Sequence, residues 1–142
     1  MQGHVRVLAT DTTGHTVVAL VPFRIEEVAA NEATIVRSAD DVMEVVLPQN
    51  SLSGSAVVSI QQVTTGSSGQ GKLVRVGQPY AILISTGQST LNVPAILHMH
   101  YPPALTGILT PTLQIYRWDE AGQVWVAVGG TVNDEINRVS AP

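Results

Sequence analysis

Two histidines stand two residues apart in the stretch Ile96 to Pro103, "ILHMHYPP", in a chain that holds four histidines in all. An extended strand repeats its faces every second residue, so His98 and His100 share one face and both imidazoles could reach one metal ion. A zinc site would need a third donor, from His4, His15 or a carboxylate on a neighbouring strand. The alternate set, Ala95, Leu97, Met99 and Tyr101, is the natural core face. On that assignment His98 and His100 face outward as a pair of surface imidazoles.

Aromatic residues form the second group with chemical potential. Trp118 and Trp125 flank the turn in "TLQIYRWDEAGQVWVAV", with Tyr116 nearby. Such residues can stack on sugars at the rim of a β-sandwich, and they equally serve as cross-strand packing pairs. The two Asp-x-x-Gly sequences, Asp11 to Gly14 and Asp119 to Gly122, fit turns between apolar runs. A calcium loop needs several oxygen ligands at alternating positions, which neither stretch supplies. Asp40 and Asp41 are adjacent, so in extended chain they point apart, and they suit a turn before "VMEVVL". The serines of Ser53-Gly54 and Ser67-Ser68-Gly69 have no histidine near them in sequence. The chain holds no G-x-S-x-G, no phosphate-binding glycine loop and no H-E-x-x-H. Lys72 is the only lysine and follows a glycine-rich loop, a poor place for an isopeptide cross-link. No cofactor is expected.

The elements that must carry these residues read as strands. Val, Thr, Ser, Gly, Gln and Pro are plentiful and only 13% of the 142 residues are charged, a composition that favours β structure. A chain this long can bury about two-thirds of its unfolded surface in one domain without disulfides, and it has no cysteine. Net charge is −4, and no Lys/Arg cluster interleaves with aromatics, which argues against nucleic-acid binding. There is no apolar run of membrane-spanning length, and Met1 is not followed by a signal-peptide pattern, so a secreted origin would make the chain an excised fragment.

Strand candidates are "HVRVLAT" and "HTVVAL", joined as an N-terminal hairpin, then "ATIVRS", "VMEVVLP", "SAVVSIQQV", "YAILIS", "PAILHMHY" and the two halves of the tryptophan hairpin. "PFRIEEVAANEA", Pro22 to Ala33, is read as a short helical turn or linker, with Pro near its start and Ile25, Val28 and Ala29 on one face. "TTGSSGQG", Thr64 to Gly71, is a loop. "PPALTGILTP" is a longer connection, with Leu105, Ile108 and Leu109 expected to tuck against the sandwich end. The fold expected is all-β: an antiparallel β-sandwich with an N-terminal β-hairpin, one domain over residues 1–142.

Three runs in this order, "IVRSADDVMEVVLPQNSLSGSAVVSIQQV", "GQPYAILISTGQSTLNVPAILHMHYPP" and "TLQIYRWDEAGQVWVAVGGTVNDEINRVSA", resemble the ZU-type domain of zona occludens proteins and netrin receptors, in the form found in bacterial modular surface and secreted proteins. The resemblance spans about residues 31–141. It implies a sandwich that mediates interactions or spaces other modules, with a strand begun by Pro94 and ended by a buried tyrosine, here Tyr101. Some relatives cleave themselves at a His-Phe-Ser segment. The chain stops at Ser140-Ala141-Pro142, so that activity does not carry over, and the last strand is expected to be incomplete. Residues 1–24 lie outside the resemblance, either as the tail of a preceding immunoglobulin-like module or as extra strands that cover a sheet edge.

The expected role is therefore a non-catalytic structural or interaction module of an extracellular or cell-surface bacterial protein: a spacer, adhesion or assembly unit. Expected partners are proteins or neighbouring modules, with self-association through sheet edges and no membrane insertion. The alternatives are a carbohydrate-binding module using Trp118, Trp125 and Tyr116, and a fibre or virion subunit joined through open edges.

Overall fold

A computed structural model describes residues 1–10, 12–14, 16–63, 73–105 and 108–142. Asp11, His15 and Lys72 and the loop Thr64 to Gly71 lie outside the described residues. The chain is an antiparallel β-sandwich with an N-terminal hairpin. Its strands are β1 (Gln2–Thr10), β2 (Thr16–Val28), β3 (Thr34–Arg37), β4 (Met43–Leu47), β5 (Ala56–Gln62), β6 (Tyr80–Ile84), β7 (Ile96–His100), β8 (Ile115–Asp119), β9 (Val124–Gly129), β10 (Thr131–Asn133) and β11 (Arg138–Ala141). One sheet has the order β1-β2-β5-β6 and the other β10-β11-β7-β4-β3, while β8 and β9 form a separate two-stranded ribbon.

Alternation builds the core. In β4 the residues Met43, Val45 and Leu47 are buried and the residues between them are half-buried. Val36 of β3, Val28 of β2 and Ala56, Val58 and Ile60 of β5 close on them from the two sheets. Each fully buried aliphatic side chain of this kind stabilises by about 1.5–3 kcal/mol. A second cluster, Tyr101, Ile115, Val139 and Ala141, lies where the ribbon joins β11, with Leu97 and Met99 packing on both clusters.

The stretch from Pro22 does not turn helical. It continues β2 to Val28, whose last four residues, Ile25 to Val28, pair with Ser59 to Ala56 of β5. Pairing outweighs the helical spacing: a helix here would strip β5 of one of its two neighbours and displace Val28, which is 2% exposed. Pro22 is tolerated because β5 reaches only to Ile25, leaving β2 with β1 alone as its neighbour at Pro22. The chain leaves the strand through a turn closed by Glu32 N–H donating to Ala29 O at 3.2 Å.

The N-terminal hairpin is thus both a part of the sandwich and an extension of it. β1 pairs with β2 over nine positions, Gln2 opposite Arg24 through Thr10 opposite Thr16, whereas β5 takes only Ile25 to Val28. The Met1 ammonium donates to Ile25 O at 2.6 Å, and Ile25 N–H donates to Met1 O at 2.8 Å, which fixes the junction.

The two hairpin turns place their positive φ differently. Gly14 has φ +88 as a glycine-requiring turn position should. In the second hairpin the positive φ falls instead on Gln123 (+51), and a Cβ on Gly122 would lie 2.8 Å from Asp119 Oδ2, so a larger residue there would push aside the carboxylate that closes the turn. In the long connection Leu105 packs on the second cluster and Ile108 is half-buried, but Leu109 is 74% exposed, next to the 3-10 turn at Thr110–Thr112.

Candidate functional site

The histidines of β7 sit on the outer face of the five-stranded sheet. Val139 and Ala141 of β11 are buried, so Arg138 and Ser140 share the opposite face, where Arg138 stands across from His100 and Ser140 across from His98. On the other side of β7, Glu44 stands across from His98, and Arg37 of β3 across from Glu44. The result is a polar row, Arg37, Glu44, His98 and Ser140, with His100 and Arg138 beside it. Leu97 and Met99 pack on the core and Tyr101 is buried, as the outward assignment of the histidines requires.

Each group in the row has a partner of its own. Arg37 Nε donates to Glu44 Oε1 at 2.6 Å, and this bond holds the Glu44 carboxyl below its usual pKa despite its burial. His98 Nδ1 lies 2.8 Å from Ser140 Oγ. Burial, and then the nearby Arg138 cation, push the His98 imidazole below its ordinary pKa, with Glu44 pulling the other way. When the Ser140 hydroxyl donates to Nδ1, the ring proton of neutral His98 sits on Nε2. Among the described residues no three His, Asp or Glu side chains converge as metal ligands, so His98 and His100 have no third donor there. The described structure places Glu44 beside both imidazoles, but its carboxylate is bound to Arg37.

Ser140 was not legible as a partner of His98. The two are 42 residues apart, and only the pairing of β11 with β7 brings them together. Ser–His contact alone does not make a nucleophile: that role needs an orienting group on the far side of the ring and donors for the developing oxyanion.

Trp118 and Trp125 are directly opposite one another on the ribbon, with ring centroids 5.2 Å apart in an edge-to-face arrangement at 63°. Tyr116 lies opposite Ala127 on the same face. All three aromatics are half-buried and belong to neither core cluster. Ile115 and Val128, by contrast, anchor the ribbon base in the second cluster. Gly130 permits this seating, since a Cβ there would lie 2.8 Å from Leu113 O and 2.9 Å from Val139 Cγ1.

The third feature is the edge strand β6, whose only strand neighbour among the described residues is β5. Ser85 N–H donates to Val57 O and Val63 N–H to Pro79 O, which sets the ladder so that Ala81 and Leu83 bond to β5. The amides of Tyr80, Ile82 and Ile84 therefore point to the free edge. Side chains on both faces of this edge are exposed, Ile82 at 40% and Leu83 at 48%. The sequence Tyr-Ala-Ile-Leu-Ile has no charge and no proline, the usual guards of an open edge. Beside it an apolar cleft of about 250 Å³ opens between the sheets, lined by Val45, Leu47, Val58, Ile84, Leu91 and Leu97 among others. That is below the ~300–1,000 Å³ of a typical small-molecule site, and it suits inserted aliphatic side chains better.

Among the described residues no helix is long and apolar enough to cross a membrane. No family model, no curated protein and no solved structure matches the chain.

Proposed function

We propose that the chain is a non-catalytic interaction module of an extracellular or cell-surface bacterial protein, a sandwich of ZU-like type that works as a spacer, adhesion or assembly unit. The observation that carries this reading is the unguarded β6 edge, with Ile82 and Leu83 exposed on its opposite faces beside an apolar cleft. An added strand would satisfy the edge-facing N–H groups of Ile82 and Ile84 and cover the Ile82 and Leu83 side chains at once, the physics of β-augmentation. A second copy is the natural occupant. β6 is uncharged, so two β6 edges can meet antiparallel across a two-fold axis without like-charge repulsion.

Sedimentation velocity over a micromolar-to-millimolar series tests this. The native chain should form a concentration-dependent dimer. Leu83→Lys, a surface change that leaves both core clusters intact, should remain monomeric with an unchanged melting temperature. A native chain that stays monomeric throughout, or a dimer indifferent to Leu83→Lys, contradicts the reading.

A second reading, carbohydrate binding, is favoured by one observation: Trp118, Trp125 and Tyr116 share one face of a ribbon and lie outside both cores. A glycan screen with Trp125→Ala as control decides it. Binding that this substitution abolishes supports the carbohydrate module, and an absence of binding removes it.

A further inference from the structure

The outer face of the five-stranded sheet contains one donor that its surroundings leave unmet. Arg138 Nε is buried and has no hydrogen-bond partner, the one such side-chain atom among the described residues. Buried donors are satisfied in the great majority of cases, by protein, water or an ion, so an orphan calls for a partner. Nor does any carboxylate among the described residues pair with this guanidinium. The nearby acid, Glu44, is bound to Arg37 at 2.6 Å, on the side of β4 away from β7. Asp134, in the turn that leads into β11, accepts from the Tyr101 hydroxyl at 2.6 Å.

The residues around Arg138 are donors as well. His100 is directly across from it on β7, and His98 is diagonal to it, paired with the Ser140 hydroxyl. Cross-strand neighbours have Cβ atoms about 4.5–5.5 Å apart, and diagonal ones about 7–8 Å, close enough for long side chains to share one ligand. A guanidinium fork flanked by two imidazoles matches a small oxyanion, which accepts several hydrogen bonds and supplies the missing negative charge.

We infer that Arg138, His98 and His100 form a binding site for a tetrahedral oxyanion of the sulfate or phosphate class on the outer face of the β11–β7 pair. The site is independent of the β6 edge, which lies in the other sheet. Binding would order Arg138 and favour the protonated His98 imidazole, so affinity should rise as the pH falls. The charged groups facing the site are Arg37, Glu44, His98, His100 and Arg138. Glu44 and Arg37 keep their mutual bond across that range, which leaves His98, held down by burial and by Arg138, as the group whose protonation a bound anion would favour.

The test is a titration of ¹⁵N-labelled protein with sodium sulfate, against sodium chloride at matched ionic strength, read at the arginine Nε–H and histidine ring signals. Sulfate remains a dianion throughout, and inorganic phosphate in a second arm shows whether the site distinguishes the two oxyanions. Sulfate should shift Arg138 Nε–H and the His98 and His100 rings along one saturable curve. Its affinity should be about fivefold tighter near pH 6 than near pH 8 if binding raises the His98 pKa by about one unit. Arg138→Gln should abolish the saturable response with the rest of the spectrum unchanged. His100→Gln, which retains the guanidinium, should weaken binding, and His98→Gln should also flatten its pH dependence. A response equal in chloride, or undiminished in Arg138→Gln, would overturn the site and mean non-specific screening only.

Discussion

The Tyr80 hydroxyl donates to Asp40 Oδ2 at 2.6 Å and so ties the first strand residue of β6 to the turn between β3 and β4, one sheet to the other. Asp40 is a hub. Its other oxygen accepts from Ser38 Oγ at 2.6 Å and from Val42 N–H at 3.3 Å, while Ser38 Oγ in turn accepts from Met43 N–H at 2.9 Å. Its neighbour Asp41 turns the other way and pairs with Arg24 at 2.8 Å.

This clamp predicts a pH-dependent stability. Burial works to raise the Asp40 pKa, but hydrogen bonds from Ser38, Tyr80 and Val42 outweigh it, and the carboxyl ends below its ordinary value. A carboxyl with a depressed folded pKa stabilises the fold above its unfolded pKa, about 3.9, and loses that contribution as the pH falls through the folded value. Asp40→Asn should therefore cost about 0.5–1.5 kcal/mol at neutral pH, since the carboxylate is exposed and screened, and thermal melts should show the gap to the native chain closing below about pH 4. Tyr80→Phe should cost about 1 kcal/mol. Burial and the bond to Asp40 raise the Tyr80 pKa, so its phenol stays protonated across this range. An Asp40→Asn chain that melts with the native one at neutral pH would show that the clamp does not hold the sheets.

The tryptophan pair predicts a local effect. An edge-to-face aromatic pair is worth about 0.5–1.5 kcal/mol beyond its buried area. A double-mutant cycle over Trp118→Ala and Trp125→Ala should return a coupling of about that size. The loss should be confined to the ribbon, because Ile115 and Val128 anchor its base separately. A coupling near zero would mean that strand pairing alone, and no aromatic contact, holds the tip.

What the sequence revealed follows from which forces are local. Alternation along "VMEVVL" and "ILHMHY" announced β4 and β7, and because one residue of slip would exchange the two faces, it also placed His98 and His100 outside and Tyr101 inside. The turn at Asp119 to Gly122 was equally legible, since Gly122 N–H donates to Asp119 Oδ2 at 3.0 Å, a bond within four residues. Pro22 to Val28 misled because its apolar spacing fits a helix, whereas its conformation is set by β5, some thirty residues on. The contacts that define the candidate sites are longer-range still: His98 with Ser140, Asp40 with Tyr80, and the free edge of β6 all depend on strand order, which no local pattern encodes.

The central claim, that β6 receives a strand, is tested most directly by amide hydrogen exchange at Ile82 and Ile84, the residues whose N–H groups point to the free edge. Their protection should rise with protein concentration in the native chain and stay low in Leu83→Lys, while Ala81 and Leu83, bonded to β5, stay protected in dilute native protein. Ile82 and Ile84 amides that exchange equally fast at every concentration would contradict it.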